Sequence, residues 1–321
     1  MEAILTILGT VFTVFKYVFY VYTSLIFVVP LVAVVQERKI WSRSPAVPSM
    51  NLLAHLKVYI CNVIFMGTGY IGCFLLLPKM IIRGLDDSVE RDAHCLVERI
   101  DAYACLSAMV GPVVVRGVEN LPPENGDVPA PIYIANHSSQ IDAGAVYYLF
   151  RRFKWIAKKS LLVLPGVGGT MFLGRHIFID RRRGKNKGSV SKLYAKANES
   201  LQKGIPLFIF PQGSRRITER LPFKDGAFNI ALENESMLVP VSLHIPLGVW
   251  NDWYPINLLW GAKKEPVVLT VHKPVKVTKD MNKEELKQRC TDIIYSVLPK
   301  IGETEEEVKE KKQKIEDKKT T

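Results

Sequence analysis

Cysteine is scarce in this chain: 321 residues hold five, Cys61, Cys73, Cys95, Cys105 and Cys290, none in CxxC or CxxH spacing. That argues against a zinc site or a disulfide framework and reads as buried or free thiols in a reducing compartment. Acidic residues are also in deficit, with 31 Asp and Glu against 43 Lys and Arg, a net charge of +12. Such a balance points to an anionic partner: a nucleic acid, a phosphorylated substrate or an acidic membrane surface. No internal repeat is present. With 48% hydrophobic residues the chain is neither disordered nor fibrous. Its length suits one large catalytic domain with an accessory segment.

Charge is nearly missing from Ile4 to Val35, where Lys16 is the only charged residue. As one straight helix this run exceeds the ~30 Å hydrocarbon core, so it is expected to tilt, kink or lie partly in the interface, with Pro30 as a candidate bend. Its length, the lack of a basic start and the lack of a small-residue cleavage site argue against a secretory signal. A second apolar run, Val58–Leu77, follows a basic connector carrying Arg38, Lys39, Arg43 and Lys57. It is close to the ~20 residues needed to span, but Asn62, Gly67, Thr68, Gly69 and Gly72 weaken it. They mark either a re-entrant hairpin or a close helix contact. A hairpin entering one leaflet is preferred, because it keeps the following domain on the connector's side. Trp41, Tyr59 and Tyr70 are expected at headgroup level.

Beyond Pro78 the composition becomes mixed. Asp86–Met109 carries apolar residues at helical spacing (Val89, Ala93, Leu96, Val97, Ile100, Ala104, Ala108) and acids at its start. Strands are expected at Pro112–Gly117, Ile132–Ala135, Ile177–Asp180, Pro206–Phe210, Leu238–Leu243 and Val267–Val271. Helices are expected at Gln140–Phe153, Ser189–Gln202, Phe223–Asn234 and Lys283–Leu298. This alternation predicts an α/β domain, a mixed sheet flanked by helices, with functional groups on loops at strand ends. The division is 1–80 membrane-anchoring helices, 81–300 catalytic domain and 301–321 charged tail.

Four stretches carry candidate chemistry. In Pro131–Asp142 (PIYIANHSSQID) a short strand runs into Asn136–His137, and Asp142 opens the next amphipathic segment. Five residues apart on one helix, His137 and Asp142 would sit roughly 140° apart and could not meet. Across a strand-to-helix turn Asp142 can orient the imidazole and leave its other nitrogen to take a proton. Ser138 and Ser139 suit helix capping. The second stretch, Gly174–Arg183, is strongly basic, with Arg181 as the candidate phosphate clamp. The third, Phe210–Arg216 (FPQGSRR), places Gly213 in a strand-end turn and offers Arg215 as a second anion site. The fourth, Val239–Pro240–Val241, reads as an edge or interrupted strand.

In this order and spacing the blocks resemble the glycerolipid acyltransferases, and most closely the 1-acylglycerol-3-phosphate acyltransferases. NHSSQID matches a His-x4-Asp signature, GRHIFIDR a GxxxFIDR pattern, FPQGSR an FPEGTR pattern, and VPV a VP-containing strand. The resemblance covers roughly residues 85–300. It implies His137 as general base, Asp142 as its orienting partner, and Arg181, Gly213 and Arg215 as ligands of the glycerol phosphate. It also implies that Pro240 shapes the acyl or acceptor site, and puts Asn136, Gly174, Gln212 and Ser214 in the substrate-binding blocks. Gln212 departs from the family's usual Glu, and Ser214 from its Thr, so a charged role at 212 is excluded.

The activity implied is transfer of an acyl group from acyl-CoA, a co-substrate, to lysophosphatidate at a bilayer, with no cofactor, metal or nucleic acid. Other acceptors, or an inactive lipid-binding scaffold, are the alternatives. Lys318–Lys319–Thr320–Thr321 resembles a dilysine retrieval signal, implying the endoplasmic reticulum with the catalytic domain at the cytosolic face.

Overall fold

A computed structural model describes residues 2–44, 47–124, 126, 128–180, 187–254 and 265–299. The charge-poor N-terminal run forms α1 (Glu2–Trp41), with Pro30 inside it. After a short turn, Asn51 caps α2 (Leu52–Arg83) by accepting a hydrogen bond from the Ala54 amide at 2.9 Å. Both helices are long and apolar enough to cross a membrane. They run antiparallel: Tyr59 donates its hydroxyl proton to the Phe27 carbonyl at 3.1 Å, and the Tyr70 hydroxyl lies 3.4 Å from that of Thr23. These tyrosines therefore pin one helix to the other. Trp41 is only 2% exposed, in the same core as the sheet residues Tyr133 and Phe208.

The glycines of α2 do not turn the chain back on itself; α2 is one continuous helix and they mark a close contact. A Cβ on Gly69 would stand 3.1 Å from the Gly166 carbonyl carbon, and one on Gly72 would stand 2.5 Å from the Val97 methyls. Small residues let backbones approach, so α2 lies along the rest of the fold with Ala54, Val58, Met66, Gly69, Gly72 and Leu76 buried. Its other face presents Ile71, Phe74, Leu75, Ile81 and Ile82 outward.

The segment expected as one helix over 86–109 is α3 (Asp87–Asp92), a π-helical turn (Ala93–Glu98) and α4 (Arg99–Met109). The wider turn shifts the buried stripe. Val89, Ala93 and Val97 face inward as the spacing predicts, but beyond the π turn Asp101, Ala102, Cys105 and Leu106 are buried, and Ile100 is exposed.

The sheet has seven strands: β1 (Val113–Arg116), β2 (Ile132–Ala135), β3 (Lys154–Lys158), β4 (Ile177–Ile179), β5 (Leu207–Ile209), β6 (Leu238–His244) and β7 (Val267–Val271). Their order is β1-β7-β6-β2-β5-β3-β4, and all neighbours are parallel except β6 and β7. Side chains alternate between faces. Ile132 and Ile134 of β2 point to one core with α7 (Lys187–Gln202), α8 (Gly226–Asn234) and α9 (Lys283–Tyr295). Tyr133 and Ala135 point to the other, with α4 and α5 (Ile141–Ala145). The expected helix 140–153 is thus shorter, α5 followed by a 3₁₀ turn at Val146–Leu149. Strand β3 and α6 (Val167–Leu173) were not legible, the first because its KWIAK pattern is broken by lysines at both ends.

Asp101 sits in the α2–α4 contact, 2% exposed, with the Cys105 thiol donating to it at 3.5 Å. Burial pushes its carboxyl up to about 8, against the hydrogen bonds of Thr68 and Cys105. The protonated acid is the form the fold favours. Its stabilisation is complete below the unfolded value of ~3.9 and is lost as pH rises toward about 8. Stability measured from pH 5 to 9 is expected to fall across this window by on the order of 1 kcal/mol per unit. Asp101→Asn should flatten the slope; an unchanged slope would remove Asp101 as its source.

Candidate active site

The carboxyl ends of β2 and β5, neighbours in register Ile132↔Leu207 to Ile134↔Ile209, bring the first and third blocks together. After Ala135 the chain leaves the sheet, and α5 begins at Ile141, so Asp142 lies on its first turn. Asp142 is fully buried, and its Oδ2 accepts from His137 Nδ1 at 2.8 Å, from the Ser138 amide at 2.5 Å and from the Ser139 amide at 3.0 Å. The carboxylate therefore fixes both the turn and the ring. It assigns the Nδ1 proton to the Asp142 side and directs the Nε2 lone pair elsewhere. His137 Nε2 has no hydrogen-bond partner among the described residues, and the side chain is 19% exposed.

The third block wraps this histidine. Gln212, buried, accepts from the His137 amide at 2.5 Å, and the Arg216 amide donates to the His137 carbonyl at 2.9 Å. Phe210 stacks on the imidazole at 4.1 Å and 8°, and Trp155 stacks on Phe210 at 5.4 Å. Gly213 has φ 68°, the left-handed region that favours glycine, and the Lys224 ammonium lies 2.8 Å from where its Cβ would be. Ser214 is exposed on the same turn. Arg215 Nη1 donates to Glu37 Oε2 at 2.9 Å.

Other candidates lie elsewhere. Asn136 is buried and commits its side chain to the sheet: its Oδ1 accepts from the Leu243 amide at 2.8 Å and its Nδ2 donates to the Leu243 carbonyl at 2.9 Å. Pro240 is in register with Ile134, inside the sheet and short of the strand ends. It is not on an edge strand, since β6 lies between β2 and β7. It is tolerated there because the regular β6–β7 register ends at Val241↔Val271 and returns at the Leu238↔Val275 bridge with one extra residue on the β7 side, a bulge in which the Pro240 carbonyl still accepts from the His272 amide at 3.0 Å. Gly174 closes α6, where its missing side chain leaves room for His176. Arg181 lies outside the described residues, as do Lys318–Thr321.

Serine capping at α5 is only partial. The Ser139 hydroxyl accepts from the Ile141 amide at 3.3 Å, but its proton goes to Glu37 Oε1 at 2.6 Å. Glu37 was missed by sequence reasoning: a lone acid beside Arg38 and Lys39 at the end of an apolar run reads as connector charge. Lys224 carried no signal beyond a basic residue before α8.

A second buried polar cluster joins His94, Glu98 and His176, whose ligand atoms lie within 4.8 Å of one another. Most of its polar atoms are used by hydrogen bonds, and His94 Nδ1 lies 3.3 Å from Glu98 Oε2. His176 Nδ1 accepts from the Trp155 amide at 2.9 Å, so its Nε2 carries the proton given to Glu98 Oε1 at 2.9 Å. Tyr147 donates to Glu98 Oε2 at 2.8 Å, and His94 Nε2 faces the Arg151 carbonyl at 3.2 Å. Burial would raise Glu98, but the imidazoles of His176 and His94 outweigh it and hold its carboxyl below the usual range. The group is a scaffold under Trp155.

Residues 112–244 match the family model described as Acyltransferase. The chain is 32% identical over 195 residues to the 1-acyl-sn-glycerol-3-phosphate acyltransferase of Haemophilus influenzae, covering 59% of this chain and 75% of that one. It is 32% identical over 215 residues to the enzyme of that name from Chlamydomonas reinhardtii, covering 66% of this chain and 60% of the relative. With the chloroplastic LPAT1 of Arabidopsis thaliana, 27% identical, it shares 53% of the relative's length. The crystal structure of the acyltransferase PlsC from Thermotoga maritima shares the fold, with a TM-score of 0.50 at 24% identity, covering 77% of this chain and 93% of that one. By these matches, the sheet order and the paired His137 and Asp142, the chain belongs to the glycerolipid acyltransferase family, alongside the 1-acylglycerol-3-phosphate acyltransferases.

Proposed function

We propose that the chain transfers a fatty acyl group from acyl-CoA to the sn-2 hydroxyl of 1-acylglycerol 3-phosphate, giving phosphatidate. The observation that carries this reading is the 2.8 Å contact of His137 Nδ1 with a fully buried Asp142, beside an Nε2 with no partner among the described residues. A hydroxyl is a weak nucleophile at neutral pH. His137 Nε2 takes its proton as the oxygen attacks the thioester carbonyl, and Asp142 stabilises the imidazolium. The carbon–sulfur bond then breaks, and the departing thiolate recovers the proton as free CoA. No acyl-enzyme is required: Ser138 is buried with its hydroxyl accepting from Asn136 Nδ2 at 3.4 Å, and Ser139 is committed to Glu37.

Arg215, beside the base on the block-three turn, is the phosphate ligand, with Arg181 in the same role. No metal or cofactor takes part. Both substrates are anionic amphiphiles, which suits a basic protein with two outward-facing apolar helices at a membrane surface. With α2 sheathed along one side by the domain, the antiparallel α1–α2 pair rests in one leaflet and residues 81–300 remain on the cytosolic face of the endoplasmic reticulum.

The test is a panel of acceptors with one acyl-CoA: lysophosphatidate, glycerol 3-phosphate and a lysophospholipid with a larger head group. The expected result is a kcat/KM for lysophosphatidate at least about tenfold above the others. Preference for another acceptor would overturn the assignment, and Gln212, uncharged where the family usually has Glu, is the residue to exchange first in that case.

A further inference from the structure

We propose that Glu37, on the apolar helix α1, is a positioning residue of the acyl-transfer site: its carboxylate holds Arg215 in the orientation that receives the substrate phosphate. This rests on the acyl-transfer reading above and adds a residue that the four sequence blocks do not contain.

Glu37 is 0% exposed, although it lies on a helix whose outer surface is apolar over most of its length. A buried carboxylate is costly unless it is paired and hydrogen-bonded. Here each oxygen has partners. Oε2 accepts from Arg215 Nη1 at 2.9 Å. Oε1 accepts from the Ser139 hydroxyl at 2.6 Å, from Trp41 Nε1 at 3.1 Å and from the Gln140 amide at a long 3.5 Å. The carboxylate therefore bridges the catalytic turn, two residues past His137, and the arginine of the third block.

Trp41, one helical turn along α1 and buried in the core, fixes where the bridge stands. A second tie joins the hydroxyls of Ser44, in the α1–α2 turn, and Thr218, in the loop after the third block. Arg215 is 22% exposed, so one edge of its guanidinium is buried against Glu37 while the side chain keeps access to solvent. An arginine loses rotamer freedom when it binds a phosphate. One already held by a buried carboxylate has less to lose, which lowers the cost of binding without touching the proton transfer.

The experiment is a double-mutant cycle on the full-length protein with Glu37→Gln and Arg215→Ala, reading KM for lysophosphatidate, KM for acyl-CoA and kcat. Glu37→Gln is expected to raise KM for lysophosphatidate by roughly tenfold or more, the size of a charge-assisted hydrogen bond. KM for acyl-CoA and kcat should stay within about twofold. In the Arg215→Ala background Glu37→Gln should change KM by less than about twofold, because the two act as one unit. Glu37→Asp, which keeps the charge but draws it back by one methylene, should fall between wild type and Glu37→Gln.

An unchanged KM for lysophosphatidate, a uniform loss in all three constants, or independent effects in the cycle would each overturn the proposal. Loss of folded protein in both Glu37→Gln and Glu37→Asp would assign Glu37 to the scaffold and overturn it as well. Wild-type turnover of lysophosphatidate separates this failure from failure of the acyl-transfer reading. If the wild type is inactive, that reading falls, and the same cycle is read on equilibrium binding of lysophosphatidate.

Discussion

Replacing His137 by alanine is expected to lower kcat for acyl transfer by about 10²–10⁴-fold, the usual contribution of a general base, with the fold retained. The fold should survive because the loop is held by the peptide groups of His137, which bond Gln212 and Arg216, and only secondarily by the ring. The ring's own contacts are Asp142 and the face of Phe210. Asp142→Asn should behave differently. Asp142 is fully buried and its Oδ2 gathers three N–H donors, so an amide loses the anionic acceptor and meets the imidazole in the wrong tautomer. Activity should fall by a comparable factor, and stability should fall too, by about 1–3 kcal/mol for donors left poorly satisfied. The paired measurement is kcat with thermal unfolding for both variants. Retention of more than a tenth of wild-type kcat in His137→Ala would remove the histidine as base.

Gly166→Ala is expected to destabilise the protein by roughly 3 kcal/mol or more, in the range reserved for named structural faults. Gly166 has φ 70°, and a Cβ there would collide with the Met66 carbonyl and the Tyr70 amide, both backbone atoms of α2. Neither backbone atom can swing aside as a flexible side chain would. Relief therefore requires α2 to move off the domain, which would pull on the Asn62 Nδ2 to Gln140 Oε1 hydrogen bond of 3.3 Å next to the catalytic turn. Gly248→Ala, with nothing within 4 Å of its Cβ position, is the control and should change stability by about 0.5 kcal/mol or less. Equal melting temperatures for the two variants would show that the α2 contact yields.

The parts of the site that sequence made legible are those where local pattern and chemistry coincide. His137 and Asp142 follow a short apolar strand directly, and a five-residue separation across a turn is enough to pair them. FPQGSR likewise sits immediately after a strand. What was hidden needed long-range geometry. Glu37 meets Ser139 and Arg215 across more than a hundred residues of chain, and no period or spacing reports that.

Two candidate residues have surroundings that sequence spacing does not report. Asn136, just past the end of β2, gives its side chain to the Leu243 backbone, and Pro240 lies inside β6 opposite Ile134; both placements depend on strand register. The π turn at Ala93–Glu98 illustrates the same limit within a helix. A 3.6-residue pattern was read straight through a segment whose wider turn moved the buried stripe to Asp101, Cys105 and Leu106. In α2, the glycines that weakened a spanning reading proved to be a surface for another backbone.

The two hydrogen bonds of the His137 backbone, donated to Gln212 and accepted from Arg216, also set a length. They tie the His137 loop directly to the arginine turn, one bond on each side of the same residue. For the proposed substrate, the span from phosphate to reacting hydroxyl is then gauged by this tie. A glycerol backbone whose free hydroxyl lies one carbon nearer or farther from the phosphate would be bound and yet held out of reach of the base. Regiochemistry in this protein would then be set by the spacing between the base and the arginine turn, with no separate pocket needed to recognise the sn-2 position.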